Sequence, residues 1–111
     1  MVENGRADAY VMDDILLAGL VASAKTPSDF AISTEQFSMP EPYGIMLRKD
    51  DPAFKKVVDA AMVAIYKSGE AARLYAKWFQ SPIPPKGINL NFPETAPIKA
   101  AFANPNDKGV E

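Results

Sequence analysis

The sequence predicts an α/β fold, and two observations support that fold class. Short segments that are apolar on both faces indicate strands covered from both sides, as in a parallel sheet. Longer segments carry apolar residues at helical spacing between helix-start and helix-stop residues, and these indicate helices. The 111 residues are enough for one small domain with a core.

The first predicted strand and helix lie at residues 8–25. Residues 8–12 (DAYVM) show no polar alternation and indicate a short covered strand. Asp13 or Asp14 then caps a helix that runs to about Lys25. Its apolar side chains surround much of the helix, so we expect a missing neighbour or a partner chain to cover them. These side chains are Ile15, Leu16, Leu17, Leu20 and Val21.

A polar linker divides the chain. Residues 34–42 (TEQFSMPEP) contain two prolines and few apolar side chains, which is typical of a loop. Short strands are predicted on both sides of this linker, at residues 30–33 (FAIS) and 43–48 (YGIMLR).

Two consecutive helices follow the linker. Asp51-Pro52 is a helix start, because aspartate accepts hydrogen bonds from the first free amides and proline is tolerated in the first turn. Ser68-Gly69 ends this helix and begins the next, which stops at Ser81-Pro82. Tyr75 and Trp78 lie on the apolar face of the second helix and are predicted to be core residues rather than a stacking platform.

The chain changes character after the second of these helices. Residues 82–93 (PIPPKGINLNFP) are rich in proline and are predicted to run extended, as an edge strand or a docked ribbon. Residues 97–103 are predicted to form one or two helical turns, with Ile98 and Phe102 facing inward. The chain from Pro105 onward is predicted to be frayed.

Composition excludes several classes of function. With 12 basic and 14 acidic residues, a net charge of −2 and no basic cluster, the chain is not expected to bind nucleic acid. Cysteine and histidine are absent, so disulfides, thiol nucleophiles, zinc sites built on these residues and a Ser-His dyad are excluded. No metal or cofactor is predicted. Residues 1–4 do not have a signal-peptide pattern, and no apolar segment is long enough to span a membrane.

Asp13 and Asp14 are adjacent carboxylates in an otherwise apolar segment. Burial of such a charge is costly unless it is paired or hydrogen-bonded. In open α/β sheets, ligands bind where strands lead into helices, which is where these residues are predicted to lie. Alternatively, both serve the helix start, one as N-cap and one through the helix dipole. The residues alone leave both interpretations open. Asp8 is predicted to end a turn or to pair with Arg6.

Five segments of the chain together resemble a known family. They are GRADAYVMDD, EPYGIMLRKDDPAFKK, SGEAARLYAKWF, PIPPKGINLNF and PNDK, and they cover about residues 3–108. In this order they resemble the glutamate/aspartate-binding proteins of bacterial ABC importers, which belong to the polar amino-acid solute-binding proteins (periplasmic binding protein type II). The first two segments resemble the wider family, whereas the proline-rich segment resembles the dicarboxylate-specific branch.

The resemblance implies that the chain is the C-terminal part of a longer, two-lobed protein. Residues 1–33 would then be the end of the ligand-binding lobe 2, residues 34–42 a hinge crossing, and residues 43–111 the C-terminal part of lobe 1 with a proline-rich tail. The parent would be a periplasmic protein that delivers glutamate or aspartate to a membrane permease. An enzyme on the same fold is a further alternative, but it is not predicted, because the chain has no histidine, no cysteine and no evident second catalytic carboxylate.

The resemblance also implies a role for one aspartate. The family pattern Gly-Arg-x-Asp-Ala-x-x-x-Asp ends at Asp13, whose carboxylate would accept hydrogen bonds from the α-ammonium of the ligand. Asp14 is then expected to be the helix cap. The cationic groups for the ligand carboxylates are expected outside this chain, so the isolated chain should bind glutamate weakly or not at all. An alternative is a self-associating structural fragment without ligand binding, because strand edges and the apolar helix at 15–24 would be uncovered.

Overall fold

The computed structural model describes residues 1–109 and is built mainly from helices. The α-helices in this range are α1 (Asp14–Ser23), α2 (Pro52–Lys67), α3 (Glu70–Phe79) and α4 (Ala96–Ala103). Short 3-10 turns lie at Val2–Asn4 and Pro27–Asp29. The last part of the predicted lobe 1 segment, residues 110 and 111, lies outside the described residues.

The predicted start and stop signals of α2 and α3 are confirmed. Asp51 Oδ1 accepts a hydrogen bond from the Phe54 backbone N–H at 3.0 Å, and Pro52 occupies the first turn of α2. Ser68 caps the end of α2. Gly69 then begins α3 with a φ of 76°, a left-handed conformation that costs glycine little because it has no Cβ. The boundaries of α2 and α3 are therefore fixed by interactions between neighbouring residues, and these residues can be identified from the sequence.

An aromatic cluster joins α2, α3 and α4. The ring centroids of Tyr66 and Phe102 are 5.3 Å apart, those of Tyr75 and Phe79 are 4.6 Å apart, and those of Tyr75 and Phe102 are 6.2 Å apart. Tyr75 is buried, which confirms its prediction as a core residue, whereas Trp78 is half exposed. Ile98 and Phe102 are the partly buried residues of α4, as predicted. This cluster is the main tertiary contact of the chain's second half.

The predicted strands are not formed within residues 1–109, and the α/β prediction is corrected in this respect. Residues 8–12, 30–33 and 43–48 are extended or irregular, with no strand pairing. The physical reason is that a strand needs a neighbour to satisfy its backbone N–H and C=O groups, and the described chain supplies none to these segments. Within the described residues the single β-contact is an isolated antiparallel bridge between Ile83 and Ile88.

The proline-rich segment is a docked ribbon, one of the two forms predicted for it. The Phe92 N–H donates to the Phe79 carbonyl at 2.9 Å, and the Asn89 side-chain amide donates to the Gln80 carbonyl at 3.1 Å. These bonds hold the ribbon against the end of α3. Residues from Pro105 onward contain no helix or strand up to residue 109.

The end of the described chain is nevertheless attached to α2, contrary to the prediction that it is frayed. Lys55 Nζ lies 2.6 Å from an Asp59 carboxylate oxygen and 2.7 Å from an Asp107 carboxylate oxygen. Hydrogen bonds to Asp107 and then to Asp59 raise the pKa of Lys55 to about 12. The same contact with Lys55 lowers the pKa of Asp107.

Much of the apolar surface of the chain is uncovered. The accessible surface is 9346 Å², whereas a compact monomer of 12.1 kDa exposes about 6,000 Å². The radius of gyration is 17.0 Å, against about 13 Å for a compact domain of this length. Among the described residues only Ala18 and Tyr75 are buried apolar side chains, and Leu16 and Leu20 of α1 are about half exposed. The structure thus leaves uncovered the helix for which the sequence predicts a missing neighbour.

Candidate functional site

The two adjacent aspartates lie at the start of α1 and have different contacts. Asp13 occupies the N-cap position, and its backbone carbonyl accepts the Leu17 N–H at 3.0 Å, but its side chain makes no capping bond. Asp14 is the first residue of the helix, and its carboxylate accepts the Ile15 N–H at 2.7 Å. The prediction that Asp14 is the cap is therefore corrected: Asp13 holds that position, whereas the Asp14 side chain bonds to a free amide of the first turn.

The Asp13 side chain binds a residue distant in the sequence. The Tyr43 hydroxyl donates a hydrogen bond to Asp13 Oδ2 at 2.6 Å, across 30 positions of the chain. This length is within the range of about 2.5–2.7 Å for a hydroxyl donating to an ionised carboxylate. The hydrogen bond to Asp13, followed by slight desolvation and the charges of Asp13 and Asp14, raises the pKa of Tyr43. The ordinary pKa of a tyrosine phenol is about 10, so Tyr43 is a protonated donor at neutral pH, and the upward shift extends this to higher pH.

The site has unbalanced negative charge. Asp13 and Asp14 are exposed, and neither is among the ion pairs formed within residues 1–109. Asp13 Oδ2 is occupied by Tyr43, whereas Asp13 Oδ1 accepts no hydrogen bond from the described protein groups. A carboxylate oxygen accepts more than one hydrogen bond, so this group has capacity for a cationic donor.

Sequence reasoning identified Asp13 and did not identify Tyr43 as part of the site. Tyr43 follows the linker at 34–42, and no periodicity connects it with residue 13. The available signal was its presence in EPYGIMLRKDD, one of the segments that carry the family resemblance. The sequence predicts that Asp8 ends a turn or pairs with Arg6. It lies at a bend of the chain and makes no ion pair with Arg6 in the described structure.

Other features of residues 1–109 lie apart from Asp13. An open cavity of about 500 Å³ lies between α1 and residues 88–92, with both apolar side chains and the polar residues Asn89 and Asn91 in its lining, and Asp13 does not line it. Across residues 1–109 there is no group of three acidic side chains arranged to hold a metal ion. Within the same range, no helix has the length and apolar character needed to cross a membrane.

Residues 2–81 match the bacterial extracellular solute-binding proteins, family 3, and the chain belongs to this family. The two-lobed fold class and the family resemblance predicted from the sequence are thereby confirmed at the level of the family. The match covers both Asp13 and Tyr43.

Individual relatives give a narrower comparison. The chain is 52% identical over 111 residues to the L-glutamate/L-aspartate-binding protein of Pseudomonas aeruginosa, covering 100% of this chain and 36% of that protein. It is 50% identical over 109 residues to the glutamate/aspartate import solute-binding protein of Escherichia coli, covering 98% of this chain and 36% of that protein. A more distant relative, the amino-acid-binding protein AabA of Dichelobacter nodosus, is 32% identical over 78 residues, or 70% of this chain and 30% of that protein.

The extent of these similarities separates two parts of the chain. The family match ends at residue 81, whereas the relatives named for glutamate and aspartate match over 109 or 111 residues. The proline-rich ribbon and the residues after it are therefore shared with those relatives and lie beyond the family match. The chain spans about 36% of the length of these relatives.

Proposed function

We propose that the chain is the C-terminal segment of an extracytoplasmic solute-binding protein that captures glutamate or aspartate and delivers it to the membrane permease of an ABC importer. The observation that carries this proposal is the similarity to glutamate/aspartate-binding proteins along the whole chain, including the ribbon beyond the family match. The family and these relatives also support a periplasmic location for the parent protein.

The proposed lobe organisation follows the same relationship. Residues 1–33 end the ligand-binding lobe 2, residues 34–42 cross the hinge, and residues 43–111 return to lobe 1. The large exposed apolar surface supports this division, because segments of two lobes would be covered by parts of the parent outside this chain.

Asp13 is the residue proposed to bind the ligand. Its carboxylate lies at the start of α1, is not used to cap that helix, and has an oxygen that accepts no bond from the described residues. The α-ammonium of an amino acid has three donors and a positive charge, so it complements this group. Closure of two lobes on a ligand requires contacts that form only in the closed state, and this ion pair would be one of them.

The proposal is tested by restoring the missing part of the protein. The 109 residues of this chain that match the Escherichia coli relative replace the corresponding segment of that protein, and glutamate binding to the folded chimera is measured by isothermal titration calorimetry. We expect Asp13→Asn to weaken binding about 30-fold or more, because removing one partner of a desolvated charge pair costs about 2–5 kcal/mol. Asp14→Asn is the matched control, with an expected loss of less than about threefold because its bond is to its own helix.

Two results would contradict this proposal. A folded chimera that does not bind glutamate or aspartate would reject the function, and equal losses in the two variants would reject the assignment of Asp13. The isolated 111-residue chain is expected to show no micromolar binding, since it supplies only part of the contacts.

A further inference from the structure

Resting on the function proposed above, we infer that Tyr43 is a positioning residue, which holds the Asp13 carboxylate ready for the ammonium group of the ligand. Tyr43 does not itself contact the ligand in this proposal. It acts through its hydrogen bond to Asp13 Oδ2.

The contacts of Asp13 support this role. The side chain of an N-cap aspartate usually bonds to an amide of the first helical turn, which would fix its orientation. Asp13 makes no such bond and joins no ion pair within the described residues, so the Tyr43 hydroxyl is the group that restrains it there. Removing this hydroxyl would leave the carboxylate free to rotate.

Restraint of this kind favours binding. A side chain that is mobile in the free protein loses conformational entropy when the ligand orders it, and this loss weakens the complex. Tyrosine is suited to the restraining role because its ring has few rotatable bonds. Its hydroxyl occupies one carboxylate oxygen and leaves acceptor capacity on the other.

The position of Tyr43 connects the ligand site with the proposed hinge. Asp13 lies in the segment assigned to lobe 2, and Tyr43 is the first residue after the proposed hinge crossing at residues 34–42, so the hydrogen bond joins the segments on the two sides of that crossing. This hydrogen bond orients the carboxylate only when the linker at residues 34–42 is folded so that Tyr43 lies next to Asp13.

The first experiment tests the hydrogen bond in the chain itself. Tyrosine is labelled with 13C at Cζ, the Tyr43 resonance is assigned by its loss in Tyr43→Phe, and the phenol is titrated by NMR. Because the hydrogen bond to Asp13 is the largest cause of the raised Tyr43 pKa, we expect Asp13→Asn to lower the pH at which Tyr43 ionises, and the control Asp8→Asn to leave this pH unchanged. An unchanged Tyr43 titration in Asp13→Asn would overturn the inference.

The second experiment is a double-mutant cycle in the chimera described above. We expect Tyr43→Phe to weaken glutamate binding about threefold to tenfold, which is typical of one lost hydrogen bond, and Tyr10→Phe to change it less than twofold. In the Asp13→Asn background, Tyr43→Phe should cause no further loss. Glutarate lacks the ammonium group. Its affinity for the glutamate-free chimera should therefore be the same with and without Tyr43→Phe.

The outcomes separate this inference from the proposed function. A full loss in Asp13→Asn with no loss in Tyr43→Phe would overturn the positioning role and leave the proposed function intact. Equal losses from Tyr43→Phe in both Asp13 backgrounds, or an equal loss of glutarate binding, would show a general structural effect and also overturn it. An unchanged affinity in Asp13→Asn would reject Asp13 as the ammonium site and this inference with it, whereas the proposed function would be rejected only by a folded chimera that binds neither glutamate nor aspartate.

Discussion

Replacing Phe102 with alanine tests whether the aromatic cluster holds the helices of the second half together. Phe102 contacts Tyr66 at a centroid distance of 5.3 Å and Tyr75 at 6.2 Å, so one side chain connects α4 with both α2 and α3. The loss of its contacts should therefore release α4 and weaken the packing of the other two helices.

The size of the effect follows from these contacts. Each aromatic pair contributes about 0.5–1.5 kcal/mol beyond the area that it buries, so two pairs contribute about 1–3 kcal/mol. Truncation of a fully buried phenylalanine costs about 3–5 kcal/mol. Because Phe102 is only partly buried, we expect Phe102→Ala to lower the free energy of unfolding by about 2–3 kcal/mol.

The assay is urea unfolding at 25 °C, followed by circular dichroism at 222 nm. Phe37→Ala is the matched control, because it removes the same side chain at a position that is 79% exposed. We expect the control to change the free energy of unfolding by less than about 0.5 kcal/mol. Similar losses in the two variants would refute the assignment of the cluster as the main tertiary contact.

Three further predictions concern the charged tail and the exposed surface. Lys55→Gln should release the tail from α2 and speed proteolysis within residues 105–109, whereas Lys56→Gln should not; equal rates would contradict the contact between Lys55 and Asp107. Because the contact with Lys55 lowers the Asp107 pKa, the ion pair stabilises the attachment of the tail at pH values above the ordinary pKa of 3.8. This stabilisation is lost as the pH falls through the lowered pKa of the folded chain. The charge of Lys55 stabilises the same attachment at pH values below its ordinary pKa of 10.5, and this stabilisation is lost as the pH rises through its raised pKa of about 12. The resistance of the tail to proteolysis should therefore fall at both low and high pH. The isolated chain is expected to self-associate through its exposed apolar surface, and light scattering that shows only monomer at high concentration would contradict this expectation.

The helices of this protein were predictable because their boundaries depend on neighbouring residues. The Asp51 side chain reaches an amide three residues away, and Gly69 supplies the left-handed conformation between α2 and α3. The strands predicted at residues 8–12, 30–33 and 43–48 failed for the opposite reason. Apolar character indicates that a segment can be covered, but strand formation depends on a partner that the described chain does not supply.

The candidate site shows the same division between local and distant information. The sequence by itself determined the helix signals, the exclusion of histidine and cysteine chemistry, and the family pattern that singled out Asp13. Only the tertiary structure decided that Asp13 bonds to Tyr43 and that Phe102 joins Tyr66 and Tyr75. The physical reason is that capping and helical spacing act over three or four residues, whereas these contacts form only after the chain has brought together side chains 27 to 36 positions apart.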